Sequence, residues 1–211
     1  MKRIVCILLS LVLLTVALAA CGRKAPSMNE IDMSPVDISK AEVTDSVTDY
    51  VLISVANYGD ILIRLYPDVA PETVENFKAL VSQKFYDGLT FHRIIKDFMI
   101  QGGDPKGNGT GDSGKNITGE FSANGFENNL LHNRGVVSMA RGDDKNSASC
   151  QFFIVHKTSD HLDGNYAAFG YVVAGMDVVD KIASVPVWPD DNSPKFTTVK
   201  ISTARFAEIK A

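Results

Sequence analysis

The sequence predicts an all-β fold, either a barrel or a sandwich, over most of the chain. Short apolar runs recur with a two-residue alternation, glycine-rich and asparagine-rich stretches separate them, and two segments have helical periodicity. Alternation is typical of half-buried strands, and many short strands with few helices are typical of barrels and sandwiches. With 211 residues, 45% of them hydrophobic, the chain is long enough to bury a core.

The first strands form a predicted β-hairpin. Val51, Ile53 and Val55 alternate with more polar residues, and a second alternating set follows a turn at residues 57–60. Asparagine and glycine in the turn between two alternating runs favour a hairpin.

Two amphipathic helices are predicted. Pro71 is placed as a first helical residue, and apolar residues then recur on one face as far as residue 84. A shorter helical pattern covers residues 176–183. The remaining apolar runs predict strands at residues 91–95, 98–101, 136–140, 152–155, 167–173 and 198–206.

The N-terminal segment has the layout of a secretory signal. Lys2 and Arg3 precede an apolar stretch at residues 4–18, and the small residues Ala19 and Ala20 precede Cys21. The run 18–21 resembles a bacterial lipobox, which implies a cleaved signal at residues 1–20 and a lipid on Cys21. An ordinary signal peptide and an uncleaved anchor are the alternatives.

Residues 21–49 are polar and unpatterned, and they predict a flexible tether between the lipid and a domain at residues 50–211. About 25 flexible residues would span roughly 25 to 30 Å. The expected location is therefore extracytoplasmic, with the protein held on a bacterial cell membrane through Cys21.

Charge and cysteine content exclude several classes of protein. The net charge is −4, and it becomes more negative if Lys2 and Arg3 leave with a signal, so a nucleic-acid partner is not expected. Cys6 would also leave and Cys21 would be lipidated, so Cys150 alone remains and no internal disulfide is expected. The histidines lack the spacing of metal ligands, so no metal is expected.

Three motif blocks resemble the cyclophilin-type peptidyl-prolyl cis-trans isomerases. They are residues 91–104 (FHRIIKDFMIQGGD), residues 138–141 (SMAR), and residues 151–154 (QFFI) with 162–164 (LDG). The likeness runs from about Val51 to the C-terminus. It implies a closed eight-stranded antiparallel barrel capped by two helices. No cofactor is expected, and a tethered barrel with no obvious interface signal is most simply a monomer. At the expected location, the substrates would be proline-containing secreted or surface polypeptides.

The resemblance also implies site residues. Arg93 is the expected catalytic group, because its permanently charged guanidinium can donate an N–H hydrogen bond to the prolyl nitrogen as the amide twists. The expected substrate-binding residues are the pocket walls Phe98, Met99, Phe153 and Leu162; Gln101, hydrogen-bonded to the substrate backbone; Ala140 and Arg141, whose main chain pairs with the residues before the proline; Thr110 in a bordering glycine loop; Gln151, supporting the arginine; and Tyr166, where a histidine is common in the family.

Other interpretations of these residues stay open from the sequence. Residues 109–114 satisfy the glycine pattern of a dinucleotide site, but no helical pattern follows them. Cys150 could be a nucleophile with a distant histidine, although a small strand residue is the simpler interpretation. A peptide-binding or chaperone module without turnover, and an extracytoplasmic hydrolase, are the competing functions. The hydrolase would need a nucleophile and a base in register.

His161 stands where several eukaryotic relatives carry tryptophan. We therefore expect weak inhibition by cyclosporin, with catalysis retained because Arg93 is present.

Overall fold

The computed structural model describes residues 25–210, and they form one nine-stranded sheet with two α-helices. In chain order the elements are β1 (Ala41–Val43), β2 (Tyr50–Val55), β3 (Gly59–Leu65), α1 (Pro71–Ser82), β4 (Thr90–Ile95), β5 (Met99–Asp104), β6 (Val136–Met139), β7 (Phe152–Val155), β8 (Ala168–Ala174), α2 (Met176–Ala183) and β9 (Ile201–Ile209).

The sheet corrects the expectation of a closed eight-stranded barrel. The strand order is β1-β9-β2-β3-β8-β6-β7-β5-β4, all neighbours pair antiparallel, and no ladder joins the two edge strands. The start of β4 meets the residues before β9 through an isolated bridge, Thr90 to Lys200, and a hydrogen bond from the Phe91 N–H to the Val199 carbonyl (2.9 Å). The ninth strand is β1, which comes from the segment predicted to be a tether.

The alternation in the sequence determines which face each side chain takes. In β7, Phe152 and Ile154 belong to the main core, whereas Phe153 and Val155 belong to a second apolar cluster on the other face. Both faces of β6 and β7 are buried, so these strands appear in the sequence as continuous apolar runs. The helices cover the main core with their apolar faces, Phe77 of α1 and Ile182 of α2 being fully buried.

Residues 27–43, which we call the N-terminal strap, lie against the sheet. Ile31 is 8% exposed and joins the second apolar cluster, the Val36 N–H donates to the Val173 carbonyl, and β1 pairs with β9. The structure thus differs from the expected unpatterned tether. The apolar positions are too widely spaced to form a pattern, and they find partners only on the folded domain.

No helix within residues 25–210 has the length and apolarity needed to cross a membrane. The predicted signal peptide and Cys21 lie outside the described residues.

Candidate active site

Strand register brings residues from four strands into one row. Arg93 on β4 faces Gln101 on β5, Gln101 faces Phe153 on β7, and Phe153 faces Ser138 on β6. These residues lie far apart in the sequence. Because opposed residues in a sheet project to the same face, the row places a cation, an amide and an aromatic ring side by side.

A chain of side-chain hydrogen bonds holds the guanidinium of Arg93. Arg93 Nη1 donates to Gln101 Oε1 (3.3 Å), and Gln101 Nε2 donates to Gln151 Oε1 (2.9 Å). Gln151 Nε2 then donates to the carbonyls of Gly109 (3.1 Å) and Gly111 (2.9 Å). Each amide oxygen accepts and each amide nitrogen donates, so the chain has one direction and fixes Arg93 relative to the glycine loop.

Next to the arginine lies a small pocket of about 130 Å³. Its floor is closely packed, with Met99, Phe153 and Leu162 each no more than 6% exposed. The lining residues are Arg93, Phe98, Met99, Gln101, Ala140, Arg141, Phe153, Leu162 and Tyr166. The pocket thus combines apolar walls with two arginines, Arg93 and Arg141, among its lining residues.

A second, more polar pocket of about 280 Å³ adjoins the first. Gln101, Ala140 and Arg141 border both pockets, whereas Thr110 and Gln151 border only the second. The structure therefore brings all the predicted site residues of the domain to one groove, with these two outside the apolar pocket.

The turn between β4 and β5 positions the Phe98 wall. Asp97 takes a left-handed conformation (φ 60°), which aspartate tolerates better than most residues, and its N–H donates to His156 Nδ1 (3.1 Å). The Phe98 N–H closes the turn on the Ile95 carbonyl (3.1 Å). The Phe98 ring then lies against the His161 ring, with centroids 5.4 Å apart.

Asp104 organises the glycine loop that borders the second pocket. Its carboxylate accepts backbone N–H groups from Lys106 (2.8 Å), Asn108 (2.9 Å) and Gly109 (2.5 Å). Burial alone raises the pKa of Asp104, but the three N–H donors outweigh it and the pKa lies below its usual range. No helix follows Gly114, so the loop lacks the helix N-terminus of a dinucleotide site.

Arg141 is held by aromatic rings and by carbonyls. Its guanidinium carbon lies 4.7 Å from the Tyr166 ring centroid and 5.2 Å from that of Phe121, and its Nη2 donates to the Asn165 carbonyl (3.1 Å). The Tyr166 ring in turn meets the Phe153 ring edge to face at 5.9 Å. Arg141 therefore holds the Tyr166 side of the pocket.

Behind Phe153 lies an array that the sequence analysis missed. His132 Nδ1 is 2.9 Å from Asp163 Oδ1, and His132 Nε2 is 3.0 Å from Ser138 Oγ. The order matches that of a Ser-His-Asp triad, but Ser138 is fully buried and His132 is 1% exposed, so no substrate carbonyl reaches the hydroxyl. No spacing in the sequence indicates this array, because tertiary packing brings two loop residues, His132 and Asp163, to Ser138 on β6.

Burial also argues against Cys150 as a nucleophile. Cys150 is fully buried, and burial raises the pKa of its thiol to about 11, so the thiolate is scarce at neutral pH. His92 next to Arg93 is 7% exposed, and burial lowers the pKa of its imidazole. Within residues 25–210, no group of three or more His, Cys, Asp or Glu residues could hold a metal ion.

Comparison with known proteins agrees with this geometry. Residues 50–206 match the family model for cyclophilin type peptidyl-prolyl cis-trans isomerase/CLD. The Arabidopsis thaliana peptidyl-prolyl cis-trans isomerase CYP18-1 is 43% identical over 136 residues, which cover 64% of this chain and 83% of that protein. The peptidyl-prolyl cis-trans isomerase-like 2 of Rhizopus delemar is 43% identical over 148 residues, or 69% of this chain, which spans only 27% of that longer protein.

Solved structures show the same architecture. A Cryptosporidium parvum cyclophilin type peptidyl-prolyl cis-trans isomerase, crystallised in the presence of the dipeptide Ala-Pro, superposes with a TM-score of 0.67 at 30% identity, covering 77% of this chain and 99% of that one. The cyclophilin AquaCyp293 of Hirschia baltica has a TM-score of 0.62 at 23% identity, covering 80% of this chain and 77% of that one, and shows the fold alone. The match of residues 50–206 to the family model, with which a guanidinium held beside an apolar pocket agrees, places this chain in the cyclophilin-type peptidyl-prolyl cis-trans isomerase family.

Proposed function

We propose that this protein isomerises X-Pro peptide bonds of extracytoplasmic polypeptides, with Arg93 as the catalytic residue. The observation that carries the proposal is the guanidinium of Arg93, held by Gln101 at the rim of an apolar pocket of about 130 Å³. The Ala-Pro dipeptide used with the Cryptosporidium parvum relative indicates a suitable probe.

The chemistry requires a hydrogen-bond donor at the prolyl nitrogen. The barrier of about 18 to 20 kcal/mol to amide rotation arises because the nitrogen lone pair is delocalised into the carbonyl. As the bond twists, the nitrogen becomes pyramidal and can accept a hydrogen bond. Arg93 Nη1 is already aligned by Gln101, so little reorganisation is needed when the lone pair localises.

The apolar pocket grips the prolyl ring while the preceding carbonyl swings. Phe153 and Met99 form a buried floor, and they exclude water from beside the guanidinium. A lower local dielectric strengthens the hydrogen bond to the twisted nitrogen. The second pocket, bordered by Ala140 and Arg141, receives the residues that precede the proline.

The magnitudes require both parts of the site. Uncatalysed exchange takes about 10 to 100 s, so turnover in milliseconds requires roughly 5 to 7 kcal/mol of transition-state stabilisation. One charged hydrogen bond contributes about 1.5 to 3 kcal/mol. The pocket and the backbone contacts must supply the rest by binding the twisted amide more tightly than either planar isomer.

The direct test is Arg93→Ala, measured by exchange NMR on an Ala-Pro peptide. We expect kcat/KM to fall by about 10- to 10²-fold, as for loss of a charged hydrogen bond, while the fold and peptide binding persist. Arg134→Ala is the matched control, because Arg134 pairs with Asp180 and lies outside both pockets. Wild-type turnover in Arg93→Ala would refute the proposed role.

A peptide-binding module without turnover is the second candidate. It would bind the Ala-Pro peptide with the same affinity in wild type and Arg93→Ala, and neither would accelerate exchange. The ordered hydrogen-bond chain to Arg93 favours the enzyme, because binding a prolyl ring alone needs no aligned guanidinium.

We also propose that a lipid on Cys21 holds the enzyme outside the cytoplasm. Two acyl chains would give stable anchoring where one is marginal. Because the strap begins at Ser27, the chain from Cys21 to the folded part spans at most about 20 Å, less than a tether reaching to residue 49 would allow. Mass spectrometry of the mature N-terminus tests the modification, and an unmodified Cys21 would exclude it.

A further inference from the structure

The segment at residues 159–166 carries two walls of the pocket and has little regular structure. A single 3₁₀ turn, Asp160–Leu162, precedes Asp163, and the chain then continues to Tyr166. Such a segment depends on contacts with the rest of the molecule for its position. Its most extensive hydrogen bonding is to His132, which lies just before β6.

His132 contacts this segment through its main chain and its ring. The His132 N–H donates to Asp163 Oδ1 (2.7 Å), its carbonyl accepts from the Ser159 N–H (2.9 Å), and its ring Nδ1 lies 2.9 Å from Asp163 Oδ1. His132 is 1% exposed and the Asp163 side chain 24% exposed, so these bonds are partly shielded from competing water.

Chemistry fixes the direction of the ring hydrogen bonds. A carboxylate only accepts, so His132 Nδ1 carries the proton and donates to Asp163. Burial lowers the pKa of His132, so the ring is neutral at neutral pH and Nε2 is an acceptor. Ser138 Oγ therefore donates to Nε2 across 3.0 Å, and the chain runs from β6 through His132 to the pocket segment.

The ring of His132 also contacts Phe153, another residue that lines the pocket. It stacks on the Phe153 ring with centroids 6.1 Å apart and an interplanar angle of 16°. One side chain thus contacts Phe153 from behind and holds the segment that carries Leu162 and Tyr166. The distance between these walls depends on where the His132 ring lies.

We propose that His132 and Asp163 are positioning residues that set the width of the proline pocket. The inference rests on the proposed isomerase function for its kinetic readout, although its binding readout does not. The pair touches no substrate: it orders Leu162 against Phe153 before the peptide arrives. Preordering of this kind improves affinity because the bound peptide need not immobilise a loose wall.

Two variants separate the hydrogen bonds from the stacked ring. Asp163→Ala removes the acceptor, and His132→Phe keeps a flat ring against Phe153 but removes both ring hydrogen bonds. We expect each to weaken binding of an Ala-Pro peptide, and to raise KM, by about tenfold, with a smaller change in kcat. The double variant should lose less than the sum of the two single variants, because both remove the hydrogen bond between His132 Nδ1 and Asp163 Oδ1.

Folding and function are separated by controls. Asp163→Asn keeps an oxygen that accepts from both His132 donors, and it should restore affinity to within about threefold of wild type. Asp87→Ala removes a carboxylate paired with Arg205 outside both pockets, and it should lower stability without changing peptide affinity. Unfolding curves for every variant identify those that are folded at the assay temperature.

Additive losses in the double variant, or a folded Asp163→Ala with affinity within twofold of wild type, would overturn the proposal. Peptide affinity and the NMR line widths of the Phe153 ring need no turnover. They test the pocket even if the exchange assay finds no turnover in the wild type or no role for Arg93, so the two proposals can fail separately.

Discussion

At the scale of single residues, the orientation of Arg93 is decided by amides rather than by charge. Neither Gln101 nor Gln151 carries a charge, yet together they connect the guanidinium to two carbonyls of the glycine loop. Gln101 is thus a support for the arginine as well as an expected contact of the substrate backbone.

The glutamine chain predicts the effect of Gln151→Leu. Leucine preserves bulk but cannot hold Gln101, whose amide is then free to rotate away from Arg93. We expect kcat/KM to fall by about tenfold, mainly in kcat, as for loss of one or two hydrogen bonds, with the fold intact. The assay is exchange NMR on the Ala-Pro peptide, with Gln83→Leu at an exposed position as the control. Unchanged kcat would show that Gln101 holds Arg93 alone.

A second residue-scale prediction concerns cyclosporin. The His161 ring packs on Phe98 at the pocket rim, in the place where several relatives carry tryptophan. An indole offers more apolar surface than an imidazole, and its single ring nitrogen acts only as a donor. We expect weak inhibition of the wild type and at least about tenfold stronger inhibition of His161→Trp. Nanomolar inhibition of the wild type would contradict this expectation.

At the scale of secondary-structure elements, the N-terminal strap pairs with the edge of the sheet at β9 and adds Ile31 to the second apolar cluster. β1 pairs with β9, so the strand that would otherwise end the sheet has a partner. Farther along the strap, Asp32 forms an ion pair with Arg64 and its carbonyl accepts the Tyr66 hydroxyl (2.7 Å). Ile31 enters the same apolar cluster as Phe153, so the strap and the pocket share one packing unit.

The burial of Ile31 predicts that the strap contributes to stability. Ile31→Ala should lower the free energy of unfolding by about 2 kcal/mol, because it removes buried methyl and methylene groups from the cluster. Val47→Ala, at a side chain 63% exposed, should change it by less than about 0.5 kcal/mol. Urea unfolding of both variants checks the comparison, and equal stabilities would mean that the strap is only loosely docked.

At the scale of the whole molecule, buried histidines link folding to pH. Burial lowers the pKa of both His92 and His132 from the usual 6.5, so the unfolded chain binds these protons more readily than the folded one. Asp104 and Arg93 act on His92, and Asp163 and His161 on His132, but burial is the largest cause in each case. Stability from these groups is therefore complete above pH 6.5 and declines as the pH falls toward the lowered pKa values.

The lowered histidine pKa values predict how steeply the free energy of unfolding changes with pH, and that His132→Phe makes this change less steep. We expect the free energy of unfolding to decrease as the pH falls from 6.5 to about 5, before carboxylates with lowered pKa values such as Asp87 begin to titrate. This dependence reflects the difference in bound protons between the unfolded and folded states, and His132→Phe should reduce that difference by up to about one proton. Denaturant unfolding at several pH values measures it, and an unchanged slope would mean that His132 does not contribute.

The sequence by itself determined the family, both α-helices and eight of the nine strands that the structure describes, all except β1. Residues 71 and 176 begin helices as predicted, and every predicted strand appears within a few residues of its expected position, because alternation and proline placement are local properties. The motif blocks named Arg93 and the pocket walls, and the structure places those side chains around one groove.

Only the tertiary structure decided how distant residues meet. The register of β4, β5, β7 and β6 aligns Arg93 with Phe153, and the segments before β6 and β8 bring His132 and Asp163 to Ser138 behind the pocket. The open strand order and the docked strap could not be predicted from the sequence either. Ile31 belongs to no local pattern, and residues far along the chain bury it. Periodicity specifies which face a residue takes, whereas strand pairing selects its neighbours across the sheet.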